Sequence, residues 1–256
     1  MARFCLVAPP QILEGLARKQ QLGRSHLLLA HDIVANPAPY LKLFNPAHRT
    51  RQDFIILDNS VIELGFSVNL DMIVEAVKIV RPNCVVLPDM MHDTDGTIKS
   101  CTEALETWKD AFYKAHISEH ISWMIVPQGK TLRDFARCAE AFVSSVYVYW
   151  WGVPRNLVKH FGTRREAIQV LQMLNPHRPI HMLGFSDDHI DDMLCARNLG
   201  IYSIDSAVPL RIPLDISLST LPGSRGKWWD EGQMSDYVIP NIRRVRKWIG
   251  DVDAGT

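Results

Sequence analysis

Short apolar runs recur along the chain at fairly even intervals: "RFCLVAP", "SHLLLAH", "FIILDNS", "CVVLPDM", "SWMIVPQG", "VYVYWWG", "IHMLGFS" and "YSIDSAV". Most are continuous rather than alternating, the pattern of parallel strands covered on both faces. Between them lie segments with apolar residues at helical spacing: "NLDMIVEAVKIV", "TDGTIKSCTEALETWKDAFYKA", "TLRDFARCAEAFV", "TRREAIQVLQML" and "SDDHIDDMLCARNLG". Asn69 is placed to cap the first of these, and Gly200 to stop the last. Eight strands alternating with helices over this length predict an α/β fold, a (β/α)8 TIM-type barrel in a single domain over residues 1–250, with residues 251–256 as a frayed tail. The alternative is a doubly wound open sheet. Its usual glycine-rich turn after the first strand is missing from "VAPPQI".

Composition adds mainly exclusions. Apolar residues make up 47% and charged residues 22%, enough for an ordinary globular core. Lys+Arg and Asp+Glu balance at 28 each, so attraction to a polyanion has to come from local clustering. No apolar run is long enough to cross a bilayer, and the N-terminus has no secretory cleavage pattern, which predicts a cytoplasmic protein. The five cysteines are scattered at positions 5, 84, 101, 138 and 195 without any CxxC or Cys/His cluster. Four of the five fall inside apolar strand or helix patterns and predict buried inert thiols, and the set supports neither a structural zinc site nor a disulfide framework.

In a barrel of this kind, chemistry gathers where strands end and the following loops begin. Those ends carry His31, Asp58-Asn59, Asp89, Gln128-Gly129, Gly152, Ser186 and Asp205. Any one of them alone reads equally well as a turn former or helix cap. Asp58, Asp89, Gln128 and Asp205 together, on four separate strands, point instead to one polar site. His181, inside "IHMLGF", reads as a satisfied core histidine, and Met90-Met91-His92 as packing plus a turn. "GFSDD" reads as simple helix capping. No P-loop, GxSxG elbow or HExxH helix is found, and "HDTD" has no accompanying metal-ligand set. Locally basic stretches are "VPRNLVKHFGTRR", with Arg155, Lys159, Arg164 and Arg165, then "SRGKWW", with Arg225, Lys227, Trp228 and Trp229, and "IRRVRKW", with Arg243, Arg244, Arg246 and Lys247. Basic residues interleaved with aromatics suit a phosphate backbone and stacked bases, or a solvated helix face with docked tryptophans; the two readings stand equal for residues 242–248, and phosphate contact is the preferred reading for 153–165.

The order of these strand-end segments resembles the tRNA-guanine transglycosylase superfamily, over about residues 50–211. "LDNSVIELG" is similar to the segment whose first Asp is the general acid/base, which falls on Asp58, beside Asn59. "VVLPDMM" looks like the segment whose Asp binds the base, here Asp89. "IVPQG" matches a Val-Gln-Gly segment and places Gln128 on the base edge. "YWWGVPR" stands where a Gly-Gly-Leu segment presents backbone groups to the base, at Gly152. "HMLGFSDDHIDDMLCARNLGIYSIDSAVPLR" resembles the segment that ends in the nucleophilic Asp, here Asp205, and a Pro-x-Arg, here Arg211. Two departures stand out: "DNSV" replaces the usual Asp-Ser-Gly-Gly, and the Cys-x-Cys-x-x-Cys…His zinc module is missing. Both look like the DNA-guanine transglycosylases of phages and bacterial islands.

That resemblance implies exchange of guanine in DNA for a 7-deazaguanine such as preQ0. The co-substrate is the base, no cofactor or zinc is expected, and the partner is DNA in a bacterial or phage-infected host cytoplasm. Asp205 and Asp58 are the implied catalytic residues. Asp89, Gln128, Gly152 and Asn59 are the implied base contacts, and Arg155, Lys159, Arg164, Arg165 and Arg211 the implied phosphate contacts. The alternatives are a reduced tRNA-guanine transglycosylase, a non-catalytic nucleic-acid-binding barrel and, further off, a sugar-phosphate isomerase.

Overall fold

The structure is a computed structural model, described over residues 2–50, 52–117, 121–186, 189–211 and 234–251. Its eight strands are β1 (Arg3–Leu6), β2 (Ser25–Leu29), β3 (Phe54–Asp58), β4 (Cys84–Val86), β5 (Ser122–Ile125), β6 (Val148–Pro154), β7 (Ile180–Leu183) and β8 (Ser203–Ser206). Each pairs in parallel with its neighbour, and β8 returns to β1 to close a (β/α)8 barrel. The apolar runs are continuous because both faces of every strand are covered. On β3, Phe54 and Ile56 point into the barrel while Ile55 and Leu57 pack under the surrounding helices.

The strand period of two then places the polar ends. Asp58 follows Phe54 and Ile56 on the inward face. Gln128 follows Met124 and Val126 in the same way, and Asp205 follows Ser203. Below these residues the interior is filled by Cys5, Leu27, Val86, Met124 and Val126. At the opposite end, Trp150 packs against Tyr202 and Phe54, with ring centroids 4.7 and 5.2 Å apart, and Phe54 lies 5.4 Å from Tyr202. These rings plug the N-terminal end of the barrel, so the polar mouth lies at the C-terminal ends of the strands.

Asn69 caps its helix as expected, accepting from the Met72 N–H at 3.0 Å. All five cysteines are buried and free. The helix Val238–Ile249 lays Val238, Ile242, Val245 and Ile249 against the barrel. Within it Arg246 is buried, its Nε 3.9 Å from an Asp251 carboxylate oxygen and its guanidinium where a side chain on Gly23 would have to go. It is therefore not a phosphate ligand, although Arg243, Arg244 and Lys247 of "IRRVRKW" are exposed. Asp251, expected in the frayed tail, is also buried and accepts from the Phe4 N–H at 2.9 Å, which anchors the chain end to β1. Residues 252–256 lie outside the described residues, as do Arg225, Lys227, Trp228 and Trp229. No helix among the described residues is long and apolar enough to cross a membrane.

Candidate active site

The barrel mouth holds a pocket of about 840 Å³, its solvent-open part included, lined by apolar walls such as Val7, Leu29, Val86, Val126 and Leu183. Four carboxylates face it: Asp58, Glu63, Asp89 and Asp205. Gln128, Arg155, Asn156, Gly184 and Ser206 complete its polar lining. Three of the four acids were expected from strand ends. Glu63 was not, because it sits on the short Val61–Leu64 helix after β3 rather than on a strand.

Asp205 is held from two sides. Its Oδ1 accepts from His181 Nε2 at 3.0 Å and from the Gly184 N–H at 3.0 Å. On its other ring nitrogen, His181 Nδ1 lies 2.8 Å from Ser203 Oγ. A carboxylate can only accept, so the imidazole carries its proton on Nε2 and takes the serine hydroxyl on Nδ1. Among the described residues nothing donates to Asp205 Oδ2, and this oxygen is left for the pocket. His181 is fully buried, as expected of a core histidine, but it is also the group that orients the pocket carboxylate. Gly184 is needed twice over. Its φ is +66°, and a Cβ there would come within 3.1 Å of Arg155 Cδ.

Asp58 is engaged differently. Its Oδ2 accepts the Ser60 N–H at 2.8 Å, a contact made possible because Ser60 adopts φ +63° in the left-handed region. A glycine would take this conformation freely; here a serine holds it at some cost. Burial pushes the Asp58 carboxyl well above the usual carboxylate range, the Glu63 charge adds to it, and the Ser60 N–H pulls partly back. The protonated form of Asp58 is therefore favoured beyond that of an ordinary carboxyl.

Asp89 and Gln128 meet, but mostly each other. Gln128 Nε2 donates to Asp89 Oδ2 at 2.6 Å, while Gln128 Oε1 accepts from the His92 N–H at 3.2 Å. Asn59 donates to Asp89 Oδ1 and to the Leu87 carbonyl, both at 2.8 Å, and its Oδ1 accepts from the Val61 N–H at 3.0 Å. Burial raises Asp89 to about 6 against the pull of these amide donors. Asn59 is thus a brace for Asp89, fully buried and outside the pocket lining, and not the base contact the sequence suggested.

Two further expectations are corrected. Gly152 sits within β6, in register with His181, and its missing side chain makes room for Val126 and Leu183, which a Cβ would meet at 2.7 and 2.9 Å. Its role is packing inside the barrel. Arg164 is fully buried: Nε donates to Asp192 Oδ1 at 2.8 Å, and Nη2 lies 2.6 Å from Asp192 Oδ2. Arg164 Nη1 donates to the Val153 and Leu183 carbonyls, so the side chain ties β6 and β7 to the following helix and cannot reach a phosphate. Asp192 Oδ2 also accepts the Ser186 N–H at 2.6 Å, while Asp187 and Asp188, the acids expected to cap this helix, lie outside the described residues. Arg165 is half exposed but pairs with Asp191 at 3.0 Å. Of the expected phosphate contacts, Arg155 lines the pocket and Lys159 is exposed at the rim, next to His160, whose ring packs edge-on to His92 at 4.5 Å. The Arg211 side chain lies outside the described residues. His31 pairs with Asp32 at 3.2 Å and does not line the pocket.

No protein-family model matches the chain, and no curated protein matches it. Among solved structures, it is similar to a putative fructose-1,6-biphosphate aldolase from Coccidioides immitis at 11% identity and TM-score 0.57, over 98% of this chain and 90% of the other. A monomeric dihydrodipicolinate synthase variant is similar at 12% identity and TM-score 0.49, over 98% and 79%. At such identities the likeness reaches the fold alone: this chain is a (β/α)8 barrel.

Proposed function

We propose that the chain is a base-exchanging transglycosylase that replaces guanine in DNA with a 7-deazaguanine. One observation carries this reading: a carboxylate with one oxygen held and the other open, Asp205, shares a pocket with a second, buried carboxyl, Asp58, that burial shifts toward its protonated form. Such a pair supplies a nucleophile and a general acid for cleavage at an anomeric carbon. In the proposed reaction, Asp205 Oδ2 attacks C1′ of the target nucleotide. The C1′–N9 bond breaks, its electron pair goes to N9, and Asp58 delivers the proton that neutralises the departing guanine. The incoming deazaguanine then loses its N9 proton to Asp58, and N9 attacks C1′ to release Asp205. The sugar–enzyme ester conserves the glycosidic bond energy, so the exchange needs no ATP. The target base has to leave the helix stack first, at a cost of a few kcal/mol, which phosphate contacts by rim cations such as Arg155 offset.

Among the described residues no lysine lines the pocket. DNA is preferred over tRNA on the segment resemblance alone, so the experiment offers both polymers. Labelled guanine and preQ0 are incubated with duplex DNA or tRNA and the protein, and the nucleosides are analysed by mass. Incorporation into DNA that Asp205→Ala abolishes is the expected result. Incorporation into tRNA only would replace the polymer, and none into either would remove the reading.

A further inference from the structure

The pocket contains an amide that nothing so far has used. Asn156 lies in the turn Arg155–Leu157 that follows β6, and buried Leu157 anchors that turn in the barrel wall. Asn156 lines the pocket, and both its Oδ1 and its Nδ2 are buried without a hydrogen-bond partner among the described residues. A buried amide left unpaired costs about 1–3 kcal/mol for each group, so native structures rarely keep one without a use. The other two amides near the site contrast with it. Both amide protons of Asn59 and one hydrogen bond to its oxygen go into bracing Asp89 and the following turn. Gln128, which the sequence placed on the base edge, gives Oε1 to His92 and an Nε2 proton to Asp89.

We infer that Asn156 turns this unpartnered amide into the pocket and reads the lactam edge of the base there, accepting its ring N–H on Oδ1 and donating from Nδ2 to the adjacent carbonyl. An asparagine side chain presents one donor beside one acceptor in a plane, the complement of such an edge, and reads purines in this bidentate way elsewhere. The apolar walls formed by Val7, Leu29, Val86, Val126 and Leu183 suit the faces of a planar ring. This inference rests on the base-exchange reading and adds to it the residue that selects the base.

The test uses free bases without nucleic acid. Calorimetric titration compares 7-deazaguanine, which carries the lactam, with 2-aminopurine, which keeps the 2-amino group but lacks the lactam, and with adenine. The wild type is expected to prefer 7-deazaguanine. Asn156→Leu, close in volume, is expected to weaken that base roughly 10- to 100-fold, the loss expected for one or two unmade hydrogen bonds, and to leave 2-aminopurine unchanged. Asn156→Asp keeps the acceptor but loses the donor and is expected to weaken 7-deazaguanine while the protein's melting temperature holds, so the inference survives a leucine variant that fails to fold. Retained preference for 7-deazaguanine in either folded variant, or wild-type preference for adenine, would overturn the assignment to Asn156 alone. A wild type that binds none of the three bases would take the base-exchange reading down with it.

Discussion

His181 Nε2 lies 3.0 Å from Asp205 Oδ1, and the same ring's Nδ1 lies 2.8 Å from Ser203 Oγ, so a fully buried histidine fixes which oxygen of the pocket carboxylate is tied down. Residues 181 and 203 sit in register on the paired strands β7 and β8. The contact is therefore made by the barrel wall and not by a loop, which suits a group that has to be held in one orientation.

That geometry makes His181 a positioning residue. His181→Phe keeps the bulk of the ring and removes the donor to Oδ1. Loss of one hydrogen bond to a charged group is worth about 1.5–3 kcal/mol, so kcat for base exchange is expected to fall roughly 10- to 100-fold with KM for DNA little changed. A purely structural role would lower the melting temperature without moving kcat of the folded fraction. Kinetics and thermal melting on the same preparation separate the two.

Asp58 is expected to act first as an acid. Its carboxyl is raised by burial and by Glu63, so the protonated form needed to expel guanine is lost as pH rises through that raised value. Single-turnover formation of the Asp205–sugar adduct should slow on the alkaline side. Asp58→Asn should lower the rate by about 10²–10⁴-fold and flatten the alkaline fall. An Asn variant with the wild-type pH profile would take Asp58 out of the proton path.

Asp89 makes a prediction about stability instead. Its folded value of about 6 lies above the unfolded value of about 3.9, so the folded state holds the proton more tightly. The corresponding stabilisation is fully present below pH 4 and is lost as pH rises through 6. A difference of that size corresponds to roughly 3 kcal/mol. Between pH 4 and 7 the wild type should therefore lose about that much stability relative to Asp89→Asn, whatever the fixed cost of the substitution. Denaturant unfolding of both proteins across this range measures it, and a constant difference would contradict the burial argument.

The barrel was legible because strands covered on both faces leave continuous apolar runs, and the site acids because they end those runs on the inward phase. His181 was in the same phase as Leu183, one step of two below the mouth, so its face was readable. Its partner was not, because pairing of His181 with Ser203 depends on strand register, which a single sequence does not state. Glu63, Asn156 and Gly184 lie on a one-turn helix and short turns whose path no periodicity describes. The basic stretches misled for a related reason: a charge count sees Arg164 but not Asp192, 28 residues on, which buries it.

Nucleic-acid binding should distinguish the two kinds of arginine. Arg155 and Lys159 form no ion pair among the described residues and stand at the pocket and its rim, whereas Arg164 is enclosed with Asp192. Removing one cation from a phosphate lowers the slope of log affinity against log salt by about one. Arg155→Ala and Lys159→Ala are each expected to weaken binding to a DNA duplex across sequences and to reduce that slope by this amount. Arg164→Ala leaves a buried carboxylate unpaired, which typically costs about 3–5 kcal/mol of stability. Its folded fraction should nonetheless bind DNA with the wild-type salt slope. Titrations at several salt concentrations, beside melting curves, give both quantities for each variant. A reduced slope for Arg164→Ala with unchanged melting would reverse the assignment and return that side chain to the phosphate backbone.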